Sequence, residues 1–408
     1  MSSPDQVVIS DEWSDLRQFR PLPDIDIDVM RRYRLGRVRE QLEIHDVAMC
    51  MLASPVSLRY AIDNRSYMLF MAHIPSAYAF ISVDGPVVSH GVYGPQPDVD
   101  RIGKARGIAY FDTGDLGVPN AEKLAQDILD YLAEIGTDNR RVAIEYVNPS
   151  ITQELERRGL EVIDGVNIVE RARLIKSPEE IECIRWSIAV AQHGIAKMRE
   201  VLRPGITEQQ LWGVLNYTNL ANDGDWHEAR MLASGLRTNP WLQEATDKKI
   251  EAGELVGFDT DMIGPFGYCA DVSRTFFCGP GKPTATQKKL YQLAAAEVEH
   301  NLGLVRAGIS FSDFQQQSFD TAEEYHKNAY TCLVHGVGLC DEYPQIKPKF
   351  RGENPYHGEL EAGMVICVES FIGDERGGEG VKIEQQVLVT DDGYELLSDY
   401  PLEEDLMS

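Results

Sequence analysis

In the stretch FDTDMIGPFGYCADVSRTFF, Asp259 and Asp261 stand two residues apart, so a strand there would turn both carboxylates to one face. The IGPFGY segment has the glycines and proline of a turn, and Asp271 returns on the strand after it, within reach of the first pair. Farther along, Glu369 lies inside the apolar run MVICVES and Glu384 inside VKIEQQVLV. A carboxylate buried in such a strand without a partner is costly or shifts its pKa, so several in one core call for cations. His335 is flanked by small residues in VHGVG, where backbone can approach closely. Oxygen ligands with a single imidazole suit a hard or borderline divalent ion such as iron, manganese, cobalt or zinc. Bridging carboxylates would hold two such ions about 3.5 Å apart. Each residue alone has a plainer use: Glu384 can pair with Lys382 on the same strand face, and His335 can be a satisfied core histidine. It is the set of six, in this order, that points to a metal centre.

One acid is left over. Asp341 follows His335 in CLVHGVGLCDEYP, shortly before a proline.

The elements that must position these residues can be read from the hydrophobic pattern. MRRYRLGRVREQLEIHD has helical spacing, and NAEKLAQDILDYLAEIG is an amphipathic helix closed by Gly136. VAMCML, YMLF, AYAFISVDG, IAYFD and RVAIEY read as short strands, giving a first α/β domain over residues 31–175. Residues 1–30 are polar and proline-bearing and read as an arm. A boundary falls at KSPEEIECIR, where Ser177 caps a helix, Pro178 takes its first position and Glu180 completes a capping box. The second domain, residues 176–408, adds a helix at TEQQLWGVLNYTNLAND and another at TQKKLYQLAAAEVEHNLGLVRAG to the four site-bearing β segments. That is an α+β class, with helices on antiparallel strands.

The 408 residues carry a net charge of −26, which repels phosphate backbones and argues against nucleic acid as a partner. The 7 cysteines are scattered without a CxxC, so neither a disulfide framework nor a zinc knuckle is expected. No run is long and apolar enough to span a membrane, and the N-terminus lacks a basic start with an apolar core, so a cytoplasmic location is expected.

The order Asp, Asp, His, Glu, Glu resembles the pita-bread metallopeptidase superfamily of prolidase, aminopeptidase P and the metal-free creatinase. GYCADVSRTF, HGVGLCDEYP, LEAGMVICVE and VKIEQQVLVTDDGYELL carry the resemblance. Several positions depart from the peptidases. Their HExP unit reads DEYP here, with Asp341 in place of a second histidine. Trp241, in ASGLRTNPWLQE, stands where they keep a histidine after proline. VESFIG replaces their EPG turn, and Asp259 is an extra acid ahead of the usual first ligand.

These departures are similar to the DddP-type dimethylsulfoniopropionate lyases. That resemblance implies six ligands at Asp259, Asp261, Asp271, His335, Glu369 and Glu384, holding two divalent ions, iron first and zinc or manganese as alternatives. It implies Asp341 as general base and Tyr330 as a substrate contact. Trp241 and Phe70 would join Tyr330 as an aromatic wall for a sulfonium cation; Phe70 stands where the lyases carry a tryptophan. The implied reaction is β-elimination on a small zwitterion, in a homodimer. The competing reading is a metal-dependent hydrolase of a dipeptide or small amide, prolidase-like or ectoine hydrolase-like, with Asp341 as a substrate clamp.

Overall fold

The computed structural model describes residues 23–65, 68–91, 97–107 and 114–408. These residues divide into two compact units, one over Asp26–Leu174 and one running from Ile175 to Ser408. Most of the expected arm, residues 1–22, and the expected strand IAYFD lie outside the described residues. The last residues of the expected arm already begin the first helix.

The N-terminal unit is built on one sheet. Its strands are β1 (Met49–Leu52), β2 (Tyr78–Ser82), β3 (Val88–His90), β4 (Arg101–Gly103), β5 (Arg141–Ile144) and β6 (Glu161–Asp164), in the spatial order β4-β3-β2-β1-β5-β6. β1 runs parallel to β5 and antiparallel to β2. The helices are α1 (Ile27–Ile44), α2 (Pro55–Ile62), α3 (Met68–His73), α4 (Gly117–Glu134), α5 (Pro149–Arg157) and α6 (Gly165–Arg173). One sheet face shows the period of two: Met49 and Met51, Tyr78 and Phe80, and Val142 and Ile144 share a core with Leu124 and Ile128 of α4. Gly136, at φ +69°, follows the end of α4 as the sequence suggests.

Residues 68–70 of YMLF are a correction: they form part of α3 rather than a strand. A four-residue apolar run has no period that separates strand from helix.

The C-terminal unit opens with α7 (Pro178–Val201) and α8 (Glu208–Ala221), which pack on each other. The capping box forms as expected: Glu180 N–H donates to Ser177 Oγ at 3.3 Å, and Ser177 N–H donates to Glu180 Oε2 at 2.8 Å. Glu180 Oε1 also accepts from the Tyr268 hydroxyl at 2.8 Å, which ties the helix start to the turn just before the strand Cys269–Ala270. The remaining strands are β7 (Trp226–His227), β8 (Leu232–Ser234), β9 (Leu255–Phe258), β10 (Met262–Ile263), β11 (Cys269–Ala270), β12 (Arg274–Phe277), β13 (Val334–Val337), β14 (Asp341–Ile346), β15 (Val365–Gly373), β16 (Gly380–Val389) and β17 (Tyr394–Leu396). They form two three-stranded sheets, β11-β10-β7 and β12-β9-β8, and a five-stranded sheet, β14-β13-β15-β16-β17. Every pairing among them is antiparallel. Helix α9 (Ala285–Leu302) packs on β15 and β16, and a shorter α10 (Phe311–Gln317) follows it.

Candidate metal centre and its aromatic wall

β15 and β16 form the floor of the site. In their register Glu369 faces Glu384, Phe371 faces Lys382 and Cys367 faces Gln386. Because side chains alternate, these three pairs stand on one face. β13 adds His335 beside Cys367. The pairing of β13 with β14 shifts between His335 and Gly336, and a Cβ on Gly336 would come within 2.2 Å of the Tyr343 carbonyl oxygen. The glycine after His335 therefore permits a backbone approach that no larger residue would, as the small flanking residues suggest.

Asp259 and Asp261 reach the floor differently from expectation. β9 stops at Phe258 and β10 begins at Met262, so the two acids sit in a connection, with Asp261 at φ +34°. Asp271 likewise lies between β11 and β12. Thr260, buried between the two acids, joins these segments: its hydroxyl donates to Ala270 O at 2.7 Å and accepts from Val272 N–H at 3.0 Å. Ligand atoms of Asp259, Asp261 and Asp271 consequently fall within 4.8 Å of one another. Gln386 Oε1 accepts from Asp271 N–H at 3.0 Å and fixes the third acid over the floor.

His335 orients toward the acids. Its Nδ1 lies 3.0 Å from Gly336 O, and its Nε2 lies 3.3 Å from Glu384, 3.4 Å from Asp271 and 3.6 Å from Glu369. A proton on Nδ1 given to the carbonyl leaves the Nε2 lone pair facing the carboxylates, the tautomer a metal ligand needs.

Lys382 was not singled out beyond its pairing with Glu384, yet it is the hub of the acids. Fully buried, its Nζ lies 2.7 Å from Glu369 Oε2, 3.0 Å from Glu384 Oε2 and 3.1 Å from Asp259 Oδ2, and donates to Ser273 Oγ at 2.8 Å. It holds one oxygen of each of three acids; of the second oxygens, Glu384 Oε1 faces His335 Nε2, Glu369 Oε1 accepts from the Cys332 thiol and Asp259 Oδ1 has no donor among the described residues. The readable signal was its place two residues before Glu384 on a buried strand.

Six carboxylates, counting Asp341, thus meet one ammonium and one imidazole. Burial pushes Asp259, Asp261 and Asp271 above the usual carboxylate range, and neighbouring acids add to it. Glu369 is pushed up to about 7 by burial, against the pull of Lys382. Burial also acts on Glu384, but Lys382 and His335 outweigh it and hold that carboxyl well below its usual value. Burial would depress His335, but Asp341, Glu384 and Glu369 push it well above an ordinary histidine. Among the described residues, Asp259 Oδ1 and Asp271 Oδ1 are buried without a hydrogen-bond donor. Orphaned carboxylate oxygens of this kind are costly. Divalent cations would satisfy them and offset the excess negative charge, so the residues fit a metal centre.

Asp341 begins β14 with its side chain 49% exposed, while its neighbour Glu342 is buried and paired with Lys176. Its carboxyl lies 3.7 Å from His335 Nδ1. Desolvation by the surrounding fold raises its pKa, His335 lowers it and Glu384 raises it again; the balance is upward.

On the other side, Trp241 shares a small apolar cluster with Met231 and Phe371, and the half-buried Tyr330 packs against it. The Trp241 and Phe371 ring centroids are 5.9 Å apart. Lys382 Nζ stands 5.2 Å from the Tyr330 ring centroid and 5.9 Å from that of Trp241, so both rings already border a cation beside the acids. Phe371 was missed, although it lies two residues past Glu369 on the same face. Phe70 lies on α3 of the N-terminal unit and is not among the residues this unit brings together.

Residues 182–391 match the model of metallopeptidase family M24. The chain is 33% identical to the dimethylsulfoniopropionate lyase DddP of Roseovarius nubinhibens, over 94% of this chain and 88% of that relative. It is 32% identical to the dimethylsulfoniopropionate lyase DddP of Roseobacter denitrificans, over 97% and 90%. Among solved structures, an Xaa-Pro dipeptidase from Bacillus anthracis superposes with a TM-score of 0.72 at 21% identity, covering 91% of this chain and 99% of that one. The fold is therefore the two-domain pita-bread architecture.

Proposed function

The chain belongs to metallopeptidase family M24, and from that premise we propose that it is a metal-dependent carbon–sulfur lyase rather than a peptidase, cleaving dimethylsulfoniopropionate to dimethyl sulfide and acrylate. The observation that carries this reading is Asp341, a half-exposed carboxylate beside His335 in the position where the peptidases keep a second histidine. A peptidase needs donors for a tetrahedral oxyanion. An elimination needs a base, which a partly desolvated carboxylate supplies.

Asp259, Asp261, Asp271, His335, Glu369 and Glu384 would hold the ions, whose chemistry when bound is to polarise the substrate carboxylate and acidify the adjacent C–H. Lys382 and Ser273 orient the ligands from behind. Asp341 takes the α-proton, the C–H electron pair becomes the carbon–carbon double bond, and the Cβ–S bond breaks with its electrons on sulfur. The cationic sulfonium leaves as a neutral sulfide, with the proton on Asp341. Tyr330 and Trp241, with Phe371 behind them, offer ring faces to the sulfonium. Iron as the ion and a homodimer as the assembly belong to the same reading; metal analysis and sedimentation measure them.

The test is to supply dimethylsulfoniopropionate to purified protein and follow dimethyl sulfide in the headspace. Asp341→Ala is expected to abolish turnover while leaving metal content unchanged. Turnover that survives would remove Asp341 as the base. Family membership keeps a second reading open, in which Asp341 clamps a small amide or dipeptide. Amino acid released from Xaa-Pro dipeptides, without dimethyl sulfide from the sulfonium, would decide for it.

A further inference from the structure

Cys367 stands in the middle of the site floor and has no part in the chemistry above. In the strand register it lies between His335 on β13 and Gln386 on β16, two positions from the facing pair Glu369 and Glu384 and on the same face. Its Sγ falls with one ligand atom each of Asp271, His335 and Glu384 in a cluster whose atoms all lie within 4.8 Å of one another. All four residues are buried. Two ligand bonds of about 2.0–2.3 Å placed end to end span roughly 4–4.6 Å, so a single ion matches the size of that cluster.

A buried cysteine alone is no site, because burial is where free cysteines normally sit. Asp271 supplies the independent observation. It is 1% exposed, its Oδ1 has no donor among the described residues, and it faces the same cluster. The neighbouring polar side chain does not serve it: Gln386 accepts from Asp271 N–H at 3.0 Å and turns its amide nitrogen to Cys269 O at 3.3 Å, and Asp271 Oδ1 is left without a donor among the described residues. Among the described residues, the Cys367 thiol has a long contact of 3.8 Å to the Asp271 carbonyl oxygen to set against a bond to metal.

We infer that Cys367 is a sulfur donor to the ion held by Asp271, His335 and Glu384, making that position of the centre a mixed sulfur, nitrogen and oxygen site. The inference rests on the reading that the cluster binds metal. On binding, the thiol gives its proton to solvent and the thiolate completes the ligand set. Sulfur is a softer donor than carboxylate, so this position selects zinc, iron or cobalt over manganese. Two other buried thiols near the site lie outside the four-atom cluster and serve as controls: Cys332, which donates to Glu369 Oε1 at 2.9 Å, and Cys269, two residues before Asp271.

The experiment uses the full chain loaded with zinc, as wild type, Cys367→Ser, Cys332→Ser and Cys269→Ser. Metal content is measured first, then X-ray absorption at the zinc edge. Wild type, Cys332→Ser and Cys269→Ser are expected to show a zinc–sulfur shell at about 2.3 Å, and Cys367→Ser none. Zinc affinity relative to manganese should fall in Cys367→Ser by at least the roughly tenfold that loss of an outer partner costs. Zinc bound through nitrogen and oxygen alone in the wild type, or a sulfur shell lost in Cys332→Ser or Cys269→Ser instead, overturns the inference and leaves the metal centre standing. Protein that takes up no metal overturns both. Should Cys367→Ser not fold, cobalt-loaded wild type, Cys332→Ser and Cys269→Ser decide it: a thiolate-to-cobalt charge-transfer band in all three supports Cys367, and its absence from any of them refutes it.

Discussion

At the scale of single residues, the site is a problem of excess negative charge, and each neighbour acts on it. Lys382 binds one oxygen from each of Asp259, Glu369 and Glu384, and His335 turns Nε2 toward Asp271, Glu369 and Glu384. Asp341 stays half exposed, where a substrate can meet it. The aromatic rings face the same region, and their contribution can be separated from mere packing. Tyr330→Leu is expected to weaken the sulfonium substrate by about 0.5–2 kcal/mol, roughly 2- to 30-fold. Tyr330→Phe should keep binding within about twofold, since the ring face survives. The carbon isostere 4-methylpentanoate, which keeps the carboxylate but lacks the sulfonium charge, should not distinguish the variants when used as an inhibitor. Equal losses for the two ligands would show that Tyr330 only fills space.

At the scale of elements, the site depends on segments that are not strands. Asp259 to Asp261 lie in a connection, and the buried Thr260 hydroxyl binds that connection to Ala270 and Val272. Thr260→Val keeps the shape but leaves the Val272 N–H and the Ala270 carbonyl without their partner, at a cost of about 1–3 kcal/mol. Metal affinity should fall with it, because Asp271 is no longer held to the first two acids; urea unfolding and a metal titration measure the two effects. Ser177→Ala is the matching control. Loss of its N-cap hydrogen bond costs about 1 kcal/mol, with metal affinity unchanged, because Ser177 bonds to Glu180 rather than to a ligand. A Thr260→Val protein with wild-type metal affinity would refute the positioning role.

At the scale of the whole molecule, the metal-free protein should respond to pH in a particular sense. Glu369 has its pKa pushed up to about 7, and His335 is raised well above its ordinary value. A group with a raised folded pKa contributes stability that is complete below its unfolded pKa and is lost as pH rises through the folded value. Glu384, held low, works in the opposite sense, but its contribution is complete once pH exceeds its unfolded value. Metal-free protein is therefore expected to lose Tm from roughly pH 5 to about pH 8, while metal-loaded protein, whose ligand charges are offset, loses much less. Thermal melts of both forms across that range test this; a constant gap between them would contradict it. The net charge of −26 adds a uniform repulsion that salt screens, so the gap should persist at high ionic strength, where surface effects fade.

The sequence alone carried what depends on local period and residue type. It marked the capping box at Ser177, the amphipathic α4, the apolar strands around Glu369 and Glu384, and the small residues beside His335. Asp341 was legible as an exchange against a known pattern. Other features were visible only in three dimensions, because they depend on partners far apart in the chain. A four-residue apolar run could not declare α3 a helix, since it is too short to show a period. The spacing of Asp259 and Asp261 suggested a strand face, yet their convergence on Asp271 comes from a positive-φ connection closed by Thr260. The roles of Lys382, Phe371 and Cys367 follow from cross-strand register as well as from local spacing: the register sets each opposite a residue of another strand that spacing along the chain does not reveal. Periodicity fixes which face a residue takes; only the folded sheet decides what that face meets.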